Sequence, residues 1–286
     1  MASHSGEYMR LSALSVLQWI GLLPDDIVVA LRRKEAARDW LNRLSADEIT
    51  AQSFSAPPRA ASDQQLSSLI PALRVLFGVR EGGIRIIPAA RRSEEPQSTE
   101  WPEGEALATP ELLYLLRRTY PDRDVSVTAC SDLAEDAKWQ NCNLIVLGGP
   151  QGNTVARRVW PCLVQPYVFV EDGIVDAHGT ELCKCRHEGC EITDCALFLR
   201  ARSPFRPDDR IIVLMAGVRT YGTCAAATYV TSQEWLRLVV PRLMRNRMSS
   251  VHALWEVRTS VHDPWPRAGK FLAPLGEVSL RGSCTE

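Results

Sequence analysis

The sequence has little that would hold the chain in a membrane or on a polyanion. Its 286 residues include 33 Lys and Arg against 34 Asp and Glu, a formal net charge of -1. We therefore expect no global attraction to nucleic acid or to an anionic membrane. The apolar stretch at residues 11–23 is interrupted by polar residues and is too short to span a bilayer. No small-residue cleavage site follows it, so we expect a cytoplasmic chain.

Familiar catalytic motifs are missing too. The chain has no Gly-x-Gly-x-x-Gly dinucleotide fingerprint and no Gly-Lys-Ser/Thr of a P-loop. It also lacks the Gly-x-Ser-x-Gly nucleophile elbow and the His-Glu-x-x-His metal motif. The sequence therefore names no cofactor and no catalytic residue, and whether the protein is an enzyme stays open.

The composition is that of an ordinary globular protein, with 45% hydrophobic and 23% charged residues. Amphipathic patterns predict a small helical module over residues 1–50, which could recruit a protein partner. A polar, proline-containing linker is predicted over 51–65. Residues 66–286 then read as one larger domain. Within it we predict helices at 66–77, 110–118 and 232–248, the last kinked at Pro241, and strands at 82–88, 124–128, 144–147, 167–170, 192–199, 211–215 and 254–259.

A buried strand running into a glycine turn is the most informative local pattern. Leu144 to Leu147 is continuously apolar, as expected of a strand covered on both faces. Glycine and proline follow it, and Asn153 then precedes a predicted helix. The same order recurs when the strand at 211–215 runs into a second glycine turn and a helix. Strands alternating with helices predict a Rossmann-like α/β domain with a mostly parallel sheet.

The two turns predict one ligand crevice, because ligands of open α/β sheets bind outside the carboxyl ends of the strands. Backbone N–H groups and helix N-termini in such turns suit an anion. The predicted ligand-binding residues are Gly148, Gly149, Gly152 and Asn153 on one wall, and Gly217, Tyr221, Gly222 and Thr223 on the other. The alternative is that these glycines only close a tight fold.

A cysteine-rich excursion occupies residues 183–195. Cys183, Cys185, His187 and Cys190 form a compact set of soft ligands that could hold zinc. The Cys-x-Cys spacing argues against a metal, so we predict none and leave the role of these residues and Cys195 open. Nine cysteines without an export signal are expected to be reduced thiols.

The turns resemble those of a loosely defined group of prokaryotic α/β domains. The resemblance rests on Gly-Gly-Pro-x-x-Asn at 148–153, Ser-Pro-Phe-x-Pro at 203–207, Ala-Gly at 216–217 and Tyr-Gly-Thr-x-Ala-Ala at 221–226. Similar turns occur in the repeated domain of archaeal surface-layer proteins and in bacterial proteins that join a helical adaptor to a Rossmann-like effector or sensor. The resemblance covers roughly residues 140–230 and implies a fold rather than an activity.

These patterns predict a sensor or regulatory protein that recognises a nucleotide-like or other anionic small molecule. One alternative is a hydrolase or transferase acting on a similar ligand, with Asp194 or Glu171 as acid or base. Another is a non-catalytic interaction module.

Overall fold

The fold is that of a computed structural model, which describes residues 53–55, 63–92, 99–133, 137–164, 166–206, 208–245, 250–272 and 279–280. The predicted helical module at 1–50 lies outside these residues, as does most of the predicted linker. Within that linker, Ser53–Ser55 forms a short strand at the edge of the main sheet.

Five α-helices are present in the described residues: α1 (Asp63–Phe77), α2 (Glu103–Thr119), α3 (Thr154–Val159), α4 (Thr220–Thr228) and α5 (Gln233–Arg245). The strands are β1 (Ser53–Ser55), β2 (Ile84–Pro88), β3 (Arg91–Arg92), β4 (Thr99–Glu100), β5 (Val125–Val127), β6 (Asn143–Leu147), β7 (Leu163–Val164), β8 (Tyr167–Val170), β9 (Gly173–Asp176), β10 (Glu181–Lys184), β11 (Arg186–Glu188), β12 (Glu191–Arg202), β13 (Ile211–Gly217), β14 (Val251–Ser260), β15 (Asp263–Phe271) and β16 (Ser279–Leu280). Short 3-10 helices lie at Cys130–Asp132, Ala137–Asn141, Trp160–Cys162 and Tyr229–Thr231.

The main sheet has nine strands in the order β1-β15-β14-β12-β13-β6-β2-β5, with β11 paired to β12. Its half from β13 to β5 is parallel. Its other half, from β12 to β1, is antiparallel. The α/β class and the parallel arrangement around the predicted turns are confirmed. The antiparallel extension was not predicted, because local patterns do not reveal which distant strands pair.

Helices cover one face of the sheet. Large side chains of α1, α2, α4 and α5 pack there against alternate residues of the strands, with Trp235 and Trp255 fully buried. This face holds the largest cluster of buried apolar residues among the described ones, and its burial stabilises the fold. Helix α5 continues through Pro241, which the sequence pattern marked as a kink.

The opposite face carries α3 and a small three-stranded sheet. Helix α3 packs through Val155 and Val159. The sheet β10-β9-β8, here called the flap, packs through Tyr167 and Ile174. The hydroxyl of Tyr167 lies 2.8 Å from Nδ1 of His252 on β14, which ties the flap to the antiparallel half. Among the described helices, none is long and apolar enough to cross a membrane.

Candidate functional site

The two predicted turns lie side by side at one edge of the parallel sheet. Strand β13 pairs in parallel with β6, with Met215 opposite Leu147. The backbone N–H of Gly148 donates to the carbonyl of Met215 at 2.9 Å. Gly148 has a φ of 97°, a left-handed conformation that glycine adopts without steric cost. The chain can therefore leave β6 next to the end of β13.

A cavity of about 460 Å³ opens between the turns. This volume is within the range of small-molecule sites in proteins. Its lining comes from both turns, from the start of α2 and from the flap: Ala89, Ala90, Trp101, Pro102, Glu105, Gly148, Gly149, Gln151, Gly152, Phe169, Gly217, Val218, Arg219, Thr220 and Thr223.

Most of the predicted ligand-binding residues line this cavity. They are Gly148, Gly149, Gly152, Gly217 and Thr223. Asn153, Tyr221 and Gly222 are absent from its lining. Asn153 and Gly222 are buried behind it instead, where they hold the turns in place. The two turns singled out by the sequence pattern both border this cavity, but the pattern did not distinguish lining residues from supporting ones.

The first turn, Gly148 to Asn153, is held by its own last residue. Asn153 is fully buried, and its Oδ1 accepts from the backbone N–H groups of Val155 (2.9 Å) and Ala156 (3.2 Å), which caps α3. Its Nδ2 donates to the carbonyls of Ile87 (3.0 Å) and Leu147 (2.9 Å). The side-chain amide of Asn153 is thus fully hydrogen-bonded within the protein, so we do not expect it to bind a ligand.

The second turn, Gly217 to Thr223, is held by a carboxylate from another strand. Asp194 of β12 is fully buried and accepts from the backbone N–H groups of Gly222 (2.6 Å), Cys195 (2.7 Å) and Arg219 (3.1 Å). Burial raises the pKa of Asp194 to about 7, and these hydrogen bonds oppose that shift. The hydroxyl of Thr223 accepts from the N–H of Gly217 at 3.1 Å.

Neither acid considered for catalysis lines the cavity. Asp194 is enclosed behind the second turn and holds the start of α4, so its place in the fold is that of a positioning residue. Glu171 is exposed in the turn between β8 and β9. The physical reason is geometric, since side chains alternate along β12 and Asp194 faces the helix side.

Glu105 is the acid that does line the cavity, and sequence reasoning missed it. It lies in the first turn of α2 and is 3% exposed. Burial raises the pKa of its carboxyl group, and hydrogen bonds from the hydroxyls of Thr220 and Thr223 oppose the rise. Pro102 followed by two acids is a helix-start signal that could have revealed it, because proline and acids favour that position.

The flap covers one side of the cavity. Phe169 on β8 lines it, and Asp172 at the following turn forms an ion pair of 2.9 Å with Arg219 at the rim. A disulfide joins Cys183 of β10 to Cys195 of β12, whose Cα atoms are 5.9 Å apart. The expectation of reduced thiols is therefore wrong for this pair, because strand packing places the two side chains face to face.

The cysteine-rich excursion does not form the compact ligand set considered from the sequence. Cys183 is engaged in the disulfide, Cys185 is half-buried and His187 is exposed. Cys190 is exposed, with its Sγ 3.5 Å from Nε2 of His262. Across the described ranges, no group of three or more His, Cys, Asp or Glu side chains is placed to hold a metal ion.

Comparisons of the chain with known protein families, with curated proteins and with solved structures found no match. The protein is therefore described by its fold and its cavity. It is an α/β protein with a cavity of ligand size at the carboxyl ends of its parallel strands.

Proposed function

We propose that this protein recognises a nucleotide-like or other anionic small molecule in the cavity between its two turns, and that it acts as a sensor or regulatory protein. The observation that carries the proposal is the convergence of both turns on one cavity at the carboxyl edge of β6 and β13. This edge is where α/β sheets bind ligands, in a Rossmann-like arrangement above all.

The first turn offers backbone donors for an anionic group. In the part of the chain that the structure describes, the N–H groups of Gly149 and Gln151 donate to no protein acceptor. Both residues line the cavity. Arg219 adds a cation at the rim, where its exposed pairing with Asp172 can be exchanged at little cost. These groups support the anionic part of the proposed ligand.

Regulation would require a second element that responds to the ligand. The sequence pattern at 1–50 supports a helical module for this purpose, although these residues lie outside the described ones. The cavity would then detect the ligand, and the N-terminal helices would contact a protein partner.

A second candidate is a hydrolase or transferase acting on the same kind of ligand. Glu105 favours it, because a buried carboxyl group with a raised pKa beside a cavity is a candidate general acid or base. Product analysis separates the two candidates, since a sensor binds its ligand without turnover.

The recognition function is tested by ligand-dependent thermal stabilisation of the full-length chain. Nucleotides, dinucleotides, cyclic nucleotides and sugar phosphates form the panel, and stabilisation by at least one class is expected. Gly149→Val should abolish it by projecting methyl groups into the cavity. Gly149→Ala is the matched control, since a Cβ there would sit 3.4 Å from the Phe169 ring, an ordinary contact. Unchanged binding by a folded Gly149→Val protein would contradict the assignment.

A further inference from the structure

Glu105 occupies an unusual position for a charged side chain. Its Oε2 accepts a hydrogen bond of 2.6 Å from the Thr220 hydroxyl. Its Oε1 reaches the first turn, because a Cβ built on Gly148 would lie 3.0 Å from that oxygen. The carboxyl group therefore spans the space between the two turns, within the lining of the cavity.

No cation among the described residues compensates this carboxyl group. Within the described ranges, no arginine, lysine or histidine forms an ion pair with Glu105. Arg219 is directed instead to Asp172 at the rim. Among the described residues, the polar partners of the carboxyl group are the hydroxyls of Thr220 and Thr223 and the backbone N–H of Glu105 itself, all of them neutral. The Thr220 hydroxyl also accepts from the N–H of Gly104 at 2.6 Å. A buried carboxylate without a cation or further donors is costly.

Building on the proposed function, we infer that Glu105 selects the ligand, and that the ligand is nucleoside-like, presenting hydroxyl or N–H groups to this carboxylate. A carboxylate accepts hydrogen bonds and repels phosphate, so a simple anion would not occupy the space beside it. A ligand donor would add a hydrogen bond to those that the neutral protein groups already make with this carboxylate.

The other lining residues indicate which part of the ligand would bind at each end of the cavity. The N–H groups of Gly149 and Gln151, which donate to no described protein acceptor, would with Arg219 receive a phosphate if the ligand has one. Glu105 would receive the sugar or base donors at the other end. The rings of Trp101 and Phe169 line the same space and suit a flat or ring-shaped molecule.

A purely structural Glu105 would also contact Thr220, joining α2 to α4. The two roles differ in what a Glu105→Gln substitution does. Glutamine keeps the length and one acceptor oxygen, so the link to Thr220 can persist. It loses the charge and one acceptor, which weakens hydrogen bonds from ligand donors. A structural role changes the stability of the ligand-free protein alone, whereas a selective role changes ligand affinity.

The test measures dissociation constants of adenosine, cytidine, adenosine monophosphate and inorganic phosphate for the full-length protein by calorimetry. We expect at least one nucleoside or adenosine monophosphate to bind, and inorganic phosphate alone to bind far more weakly. Glu105→Gln should weaken that binding by about tenfold or more, the scale of a lost hydrogen bond to a charged group. Glu111→Gln, an exposed carboxylate on the same helix, is the control and should leave affinity within about twofold.

Three outcomes would overturn the inference. Unchanged affinity in a folded Glu105→Gln protein would overturn the role of Glu105 while leaving recognition in the cavity intact. Binding of inorganic phosphate alone, without any nucleoside or nucleotide, would overturn the ligand class. If none of these probes binds and no compound of the wider panel stabilises the protein thermally, the proposed recognition function is contradicted, and this inference with it.

Discussion

The two turns that form the walls of the cavity are held in place by different kinds of residue. The first turn is closed by Asn153, a neutral residue of the turn itself. The second turn is closed by Asp194, a carboxylate that reaches it from β12. The residue that closes the first wall therefore belongs to the turn itself, although it also bonds the carbonyl of Ile87 on β2. The residue that closes the second wall is brought there by the pairing of β12 with β13.

This difference also decides what each wall can offer a ligand. In the second turn, the N–H groups of Gly217, Arg219 and Gly222 are already bound by Thr223 and Asp194. In the first turn, the N–H groups of Gly149 and Gln151 donate to no described protein group. We therefore expect the first wall to bind ligand atoms through its backbone, and the second to supply shape and side chains.

The largest expected effect comes from adding a side chain where the second turn meets β12. A Cβ on Gly222 would overlap the carbonyl oxygen of Cys195, and a rigid backbone cannot move away easily. Gly222→Ala should lower the free energy of unfolding by about 3 kcal/mol or more. Gly152→Ala in the first turn is the control, because a Cβ there would lie no nearer than 3.9 Å to the Ala89 side chain. Urea unfolding measures the free energy of unfolding of both variants. Equal losses in the two variants would contradict the proposed difference between the turns.

Replacing the carboxyl group behind the second wall should have the next largest effect. Asp194→Asn replaces one acceptor oxygen by an NH₂ group. This donor would face the N–H donor of Gly222 or Arg219, so a hydrogen bond is lost. We expect a loss of about 2–3 kcal/mol in the free energy of unfolding. Faster hydrogen exchange at the start of α4, with unchanged exchange at α3, would show that the effect is confined to one wall.

The same residue gives the second wall a pH dependence that the first lacks. Burial raises the pKa of Asp194 from 3.8 to about 7, so the folded protein retains a proton that the unfolded chain releases. Its contribution to stability is complete below about pH 4 and is lost as pH rises through about 7. The stability difference between the wild type and Asp194→Asn should therefore shrink over this window. A constant difference would contradict the assignment.

The smallest expected effect belongs to the first wall. Asn153→Ala removes the cap of α3 and the side-chain donor to the carbonyls of Ile87 and Leu147, although Leu147 still accepts from the N–H of Ala89. We expect a loss of about 1–2 kcal/mol that does not vary between pH 4 and pH 8, because an amide does not titrate. Thermal unfolding across that range checks both statements. A strong pH dependence of this loss would mean that Asn153 is coupled to an ionisable group.

The same contrast explains how much the sequence could predict. The strand at 144–147 and its turn were predictable because the apolar run, the glycines and the capping asparagine are adjacent in the chain. The β13 strand was predictable for the same reason. The parallel half of the sheet follows from these local patterns.

What the sequence did not reveal depends on distant partners. Glu105 reaches the cavity only because α2 packs beside α4, with Gly104 close to Thr220. The antiparallel half requires β12 to pair with β14, about sixty residues further along the chain. The Cys183–Cys195 disulfide requires β10 of the flap to pack against β12. No periodicity or spacing encodes those pairings.

The most direct test of the account is hydrogen exchange of the full-length protein during titration with the tightest-binding nucleoside or nucleotide of the panel. If both turns form one site, amides of 148–153 and of 217–223 become protected over the same range of ligand concentration. The gain in protection should be greatest at Gly149 and Gln151, whose N–H groups donate to no described protein group in the absence of ligand. Protection of one turn alone, or of neither while the ligand binds, would contradict the central claim that the two turns form a single ligand site.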